Sequence, residues 1–257
     1  MEFIWISLVA LLGSALTFFS GFGLGTVLLP VFALFFPVEI AIALTAIVHF
    51  LNNIFKLFLT GKGINKEILL KFGLPSVITA ILGALLLNYL VEFPALAKVE
   101  ILGKTREITL MKIVISVLLI FFSLFDVIPY FKKLQFSKKY LPIGGILSGF
   151  FGGLSGHQGA LRSAFLIRAG LSKESFIATG IVIACMIDIS RLSVYIENIS
   201  KLPENLDWWL VFTATFSAFV GAYFGNKILK KVTIEAIQVF VAVVLLVFAV
   251  FLGLGII

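Results

Sequence analysis

The feature that most constrains this chain is a run of eight apolar stretches, each about 20 residues or longer, separated by short clusters of charge. They cover about 3–36, 38–60, 68–91, 108–129, 140–167, 172–196, 207–226 and 233–257. A helix needs roughly 20 apolar residues to cross a hydrocarbon layer about 30 Å thick, so the pattern predicts an all-α polytopic membrane protein. Composition agrees, because charged residues make up 13% of the 257 positions, against about 25% in soluble globular chains. The single cysteine, Cys185, excludes a disulfide framework and a thiolate metal cluster. Met1 and Glu2 provide no positive n-region, and the apolar run continues without a cleavage site, which argues against a signal peptide.

Two of the eight stretches, 3–36 and 140–167, are long and broken by glycine: Gly21, Gly23 and Gly25 in the first, Gly149, Gly152, Gly153, Gly156 and Gly159 in the second. Unpaired backbone at membrane depth is tolerated only where protein or a wet cavity surrounds it. Thr45 follows Gly25 by 20 residues, and Thr179 follows Gly159 by the same 20. Gly83-Ala84 precedes Asn88 as Gly221-Ala222 precedes Asn226. The spacing predicts a tandem duplication: a first transmembrane repeat over 1–131, a basic cytoplasmic linker over 132–139 containing Gln135 and Ser137, and a second repeat over 140–257. Internal symmetry with interrupted helices is a transporter signature.

Cytoplasmic loops should hold the excess of Lys and Arg. If each broken stretch crosses once, the count is nearly even, ten against nine. If each is a V of two helical pieces, the halves are inverted. Lys56, Lys62, Lys66, Lys71, Lys132, Lys133, Lys138, Lys139, Arg168, Lys173, Lys227, Lys230 and Lys231, thirteen, then share one side against six on the other. The inverted arrangement is preferred: each repeat is a glycine-broken V-shaped helix pair followed by three transmembrane helices, both termini lie outside the cell membrane, and the V tips meet near mid-membrane. Val99 to Ile108, around Gly103, predicts a small outer β-hairpin.

The second piece of each V should start near Thr26 and Ala160, presenting free N–H groups and a partial positive charge suited to an anion. Gly23, Gly25 and Gly159 would allow close backbone approach, and Thr26, Ser155 and Gln158 add neutral donors; the bland alternative is that the glycines serve helix packing. Arg162 and His157 lie at the second break. A cation in the apolar layer costs at least about 2.5 to 3.5 kcal/mol and so faces a cavity or a partner. The Arg162 fork suits a sulfonate or carboxylate, the alternatives being an interfacial arginine or one paired with Asp188. Thr45, His49, Asn52 and Lys56 share one helical face, flanked by Asn53. His49 is either a proton carrier or a hydrogen-bonded packing residue, and Lys56 reads as an interfacial lysine. Asp188 and Arg191, three apart, read as an intrahelical ion pair; the helical angle between Thr179 and Asp188 argues against one shared site. Ser217, Gly221 and Gly225 form a packing row. The last stretch has no charge after Glu235 and faces lipid or another copy in a homo-oligomer.

These residues resemble the TauE/SafE family of sulfite exporters. The resemblance rests on Gly21-Phe22-Gly23-Leu24-Gly25 with Leu28-Leu29-Pro30 and Thr45, on Gly149 to Gly159 with Thr179, and on the paired Gly-Ala-x-x-x-Asn. It spans nearly the whole chain. Ala164 stands where the family pattern has a proline after the second break, and His157, Gln158 and Arg162 stand where it has glycines and aliphatics; these departures bear on substrate rather than fold. The resemblance implies export or exchange of sulfite, an organosulfonate or another small anion.

The sequence therefore predicts a secondary transporter, with a small anion and the lipid bilayer as partners and alternating access by relative motion of the two halves. No Walker motif, cofactor site or metal site is expected, and no exposed basic patch suits nucleic acid. The alternatives are an anion channel, a non-transporting membrane partner, and a membrane-embedded hydrolase using Ser155, His157 and Asp188.

Overall fold

The computed structural model describes residues 2–17, 23–61, 63–101, 103–132, 134–200, 207–228 and 234–257. Gly21 and Phe22 of the first glycine motif, together with Lys62, Lys133, Lys201, Lys230 and Lys231 of the charge count, lie outside the described residues. The described residues form ten main helices and one hairpin: α1 (Glu2–Leu16), α2 (Leu24–Ala33), α3 (Val38–Thr60), α4 (Lys66–Val91), β1 (Ala97–Ile101), β2 (Lys104–Ile108), α5 (Leu110–Val127), α6 (Leu141–Ser155), α7 (Gly159–Leu166), α8 (Lys173–Ser200), α9 (Trp208–Ile228) and α10 (Ile234–Gly253). Of these, α3, α4, α8 and α9 are long and apolar enough to cross a membrane.

Both long stretches divide into two helical pieces. In the second, α6 ends on Gly156, whose φ of +80° places it in the left-handed region and whose N–H donates to the Gly152 carbonyl at 3.0 Å. An L side chain is disfavoured there, so the helix stops and the chain turns. In the first, Thr17 closes α1 through a hydroxyl bond to the Gly13 carbonyl, and the chain resumes at Gly23 in extended conformation. The second pieces begin at Leu24 and Gly159, one or two residues ahead of the expected Thr26 and Ala160. The hairpin pairs Ala97 with Ile108 and Ile101 with Lys104 around Gly103 at φ +71°, starting two residues earlier than expected.

Helix packing follows the small residues. On α6, a Cβ added to Gly145, Gly149 or Gly153 would stand 2.0 to 2.2 Å from the carbonyl oxygens of Phe72, Ser76 and Ala80. One row of three glycines four apart therefore brings α6 and α4 together, running parallel, backbone against backbone. Gly83 completes the contact from the α4 side, where an added Cβ would stand 2.1 Å from the Phe150 carbonyl oxygen. In the same manner α1 lies parallel to α9, with Gly221 and Gly225 against the Leu11 and Ala15 carbonyls. A five-residue π-helical turn, Leu69–Gly73, interrupts α4 where it meets α6. A row of contacts running through Gly253, Gly255, Ser116 and Glu107 lays α10 antiparallel on α5.

One end of the molecule gathers the basic loops. The Asn65 N–H donates to the Thr179 hydroxyl at 3.0 Å, Lys138 pairs with Glu67 at 2.9 Å, and Arg168 donates to Gln135 at 2.8 Å. The Phe136 N–H donates to the Ala164 carbonyl, with the Phe136 and Phe165 rings stacked 4.3 Å apart, so α6 begins and α7 ends on this same face. The other end carries the hairpin. A cavity of about 340 Å³ there brings together Pro37, Glu39, Val91, Glu107 and Lys112.

The main core joins α1, α2 and α3 with α5, α9 and α10 through Leu28, Phe32, Leu44, Ile115, Ala218 and Leu245. A second core around Ile68, Phe72, Leu141, Phe165 and Ile187 joins α4, α6, α7 and α8. The outward faces are themselves apolar: Ile78, Leu82 and Leu85 on α4, Phe212 and Phe216 on α9, Val243, Val247 and Val250 on α10. An apolar exterior on this scale requires an apolar surrounding. The same α10 also packs on α5, so the last stretch is half interior and half exterior.

Candidate functional site

The broken stretches lead to one buried polar network where α3 crosses α8. His49 on α3 and Asp188 on α8, 139 positions apart, are joined by a hydrogen bond of 2.6 Å from Nδ1 to Oδ2. A carboxylate oxygen accepts, so Nδ1 carries the proton and Nε2 is left as acceptor for the Asn53 amide, 3.3 Å away. The other Asp188 oxygen accepts from Nε and Nη2 of Arg191 at 3.0 and 2.7 Å. His49 is 4% exposed, Asp188 0% and Arg191 1%, which places the set well inside the protein. Three donors on two oxygens satisfy a carboxylate that burial would otherwise make costly.

Each end of the network abuts a helix break. A Cβ on Gly23 would stand 2.8 Å from His49 Nε2, and one on Gly156 would stand 2.7 Å from Arg191 Nη1. A Cβ on Gly25 would stand 3.4 Å from Thr45 Cγ2 and 3.7 Å from His49 Cδ2. All of α2 except its partly exposed Val27 and Val31 is buried, so its free N-terminal backbone is lined by protein.

Around these breaks several buried donors lack a partner among the described residues: Thr45 Oγ1, Asn52 Nδ2 and Gln158 Nε2; the ring nitrogen His157 Nε2 is likewise unpaired. Unmet polar atoms in a protein interior are uncommon, and each calls for an explanation such as a water, an ion or a ligand. The Gln158 carbonyl oxygen of the side chain accepts from Arg162 Nη1 at 3.3 Å, leaving its NH2 to spare. Arg162 in turn rests on Gly180, whose missing Cβ would stand 3.5 Å from Nε. Lys56 lies 5% exposed on the His49 face of α3, within electrostatic reach of Arg162.

Several expectations are corrected by this geometry. Lys56 is inside the helix packing, not at the interface, because its face of α3 is turned toward α7 and α8. Arg162 hydrogen-bonds Gln158, since both Asp188 oxygens are taken by His49 and Arg191. The Thr26 hydroxyl donates to the Gly23 carbonyl and the Ser155 hydroxyl to the Phe151 carbonyl at 3.1 Å, so neither is an idle donor. Thr179 accepts from Asn65 by the basic loops, in keeping with the expectation that it and Asp188 do not share one site. The Ser155, His157 and Asp188 set is not assembled: His157 Nδ1 donates to the Ser155 carbonyl at 3.0 Å, its ring stacks on Phe122, and Asp188 serves His49. Asn52 accepts from Ser14 at 3.1 Å and ties α3 to α1.

Sequence reasoning missed the His49–Asp188 bond and Tyr195, whose hydroxyl donates to the Gly153 carbonyl. The polar residue types at buried helix centres were the only signal of either, and nothing local pairs them.

Helices with apolar outer faces, two of them broken in mid-span around a charged interior, define a multi-pass membrane protein of the transporter class. The family model for the sulfite exporter TauE/SafE matches residues 6–252, and the chain belongs to that family. A comparison with curated proteins finds none that matches.

Proposed function

We propose that this protein is a secondary transporter that exports sulfite, an organosulfonate or a similar small anion, bound between the two helix breaks near mid-membrane. The observation that carries the reading is that Gly23 and Gly156, one from each break, sit at opposite ends of the His49–Asp188–Arg191 network. The unpartnered groups of Thr45 and Gln158 beside the breaks supply the further donors that a tetrahedral or pyramidal oxyanion requires. Family membership supports the anion class.

We read the chain as two inverted repeats, 1–131 and 140–257, joined by the basic linker. In support, α4 pairs with α6 as α9 pairs with α1, through Gly83 and Gly221 at matching positions of the two halves. The basic loops at one end argue for a cytoplasmic face there and for termini outside the cell membrane. Lipid, or a second copy, would cover the apolar outer face of α10.

The test is counterflow of labelled sulfite, and of a panel of sulfonates and carboxylates, in proteoliposomes of the purified protein. Saturable exchange is expected, with Arg162→Ala and Gly25→Val abolishing it in folded protein. A silent panel with folded wild-type protein would withdraw the anion reading.

A further inference from the structure

The donors at the two helix breaks are already engaged by a group of the protein itself. Asp188 takes Nδ1 of His49 and both Nε and Nη2 of Arg191, at 2.6, 3.0 and 2.7 Å. Outward of the carboxylate lie His49 Nε2, the acceptor of the Asn53 amide, against Gly23, and Arg191 Nη1 against Gly156. Resting on the anion-export reading above, we propose that Asp188 is a resident counter-anion, and that an oxyanion binding between the breaks takes over its donors while the His49–Asp188 pair takes up one proton from water.

Charge balance in the buried network sets the requirement. With a neutral imidazole, the network holds one carboxylate and one guanidinium and is neutral overall. Within that network a monoanion added alone would set two anionic groups on the one guanidinium of Arg191, a conflict unless Arg162 or Lys56 beside it supplies the balancing charge. Adding the anion with a proton preserves neutrality, and the proton belongs to the coupled pair rather than to either partner. The remaining groups facing Asp188 are Cys185 and Tyr195 on α8, Arg162 on α7 and, beyond His49 on α3, Lys56; His157 faces Arg191. The thiol, phenol and second imidazole bring no negative charge. Lys56 and Arg162 are the rival: if they balance the incoming anion, no proton is needed.

The experiment is isothermal titration of the purified full-length protein in detergent, with ethanesulfonate and separately with sulfite, in two buffers of different ionisation enthalpy. Ethanesulfonate takes up no proton near neutral pH and gives the proton count; sulfite, which itself titrates near neutral pH, is read for binding alone. About one proton taken up per anion bound is expected, with affinity falling about tenfold per pH unit on the alkaline limb. In Asp188→Asn the anion should bind without proton uptake. Binding to wild type with no proton uptake overturns the inference and leaves the anion reading standing. Binding of neither anion to folded protein overturns both. Uptake that persists in Asp188→Asn removes the proton from Asp188 and also overturns it. Should that variant fail to fold, the wild-type proton count and its pH slope decide the matter.

Discussion

Replacing Arg191 by methionine would leave the Asp188 carboxylate, 0% exposed, with His49 as its one remaining partner among those described, and would remove two hydrogen bonds of 3.0 and 2.7 Å. Breaking a buried ion pair from one side costs about 3 to 5 kcal/mol, because a charge is left uncompensated. For a chain of this size, 1 kcal/mol shifts an unfolding midpoint by roughly 2 to 4 °C, so Arg191→Met should lower the midpoint in detergent by about 6 to 20 °C. Asp188→Leu should do similar damage from the other side, stranding a guanidinium. The double replacement removes both charges. Its remaining loss is the His49 N–H left without an acceptor, about 1 to 3 kcal/mol. It should therefore be more stable than either single variant, while all three are inactive in exchange. Thermal unfolding followed by tryptophan fluorescence reads this directly. Losses that simply add in the double variant would show that the two side chains are not energetically paired and would refute the reasoning.

Gly153→Ala should destabilise the protein by about 1 to 3 kcal/mol, since its Cβ would stand 2.0 Å from the Ala80 carbonyl and the two helices would have to part. Gly180→Ala, whose nearest neighbour is Arg162 Nε at 3.5 Å, should leave the unfolding midpoint unmoved. With Cys185 replaced, single cysteines at Lys66 and Glu100 should react with impermeant reagents from opposite sides, Glu100 from outside; same-side labelling would overturn the membrane orientation. In the hairpin, Lys98 at 2.9 Å holds the Glu107 carboxyl below the usual carboxylate range. The stabilisation from that bridge is present at neutral pH and is lost as the pH falls through the lowered value. An NMR titration of Glu107 should return to the ordinary range in Lys98→Met.

Much of the architecture was legible because it is written in local composition. The glycine breaks, the hairpin around Gly103 and the Asp188–Arg191 pair all depend on residues within a few positions of one another. The His49–Asp188 bond was not, because it depends on where α3 crosses α8, and no spacing within either helix encodes that crossing. Arg162 illustrates the middle case. Its partner Gln158 lies one helical turn back, a relation visible in sequence, yet the reading weighed only an anionic substrate, the membrane interface or Asp188 as partners for the guanidinium. Lys56 differs from its reading for a similar reason: a lysine near a helix end looks interfacial unless the packing of α7 and α8 on its face is known.

The glycine rows bear on which parts of the molecule can travel as units. Each row fastens a helix from one half of the chain to a helix from the other, α1 to α9 and α4 to α6, at separations where a single methyl group would not fit. Contacts that close leave no slack for sliding. The two halves of the sequence are thus cross-laced rather than set side by side, and rocking one half against the other would tear both seams. A working cycle on this scaffold would have to move pieces that lie outside those two seams, such as α2 and α7 with their broken tips, inside a frame assembled from both halves at once.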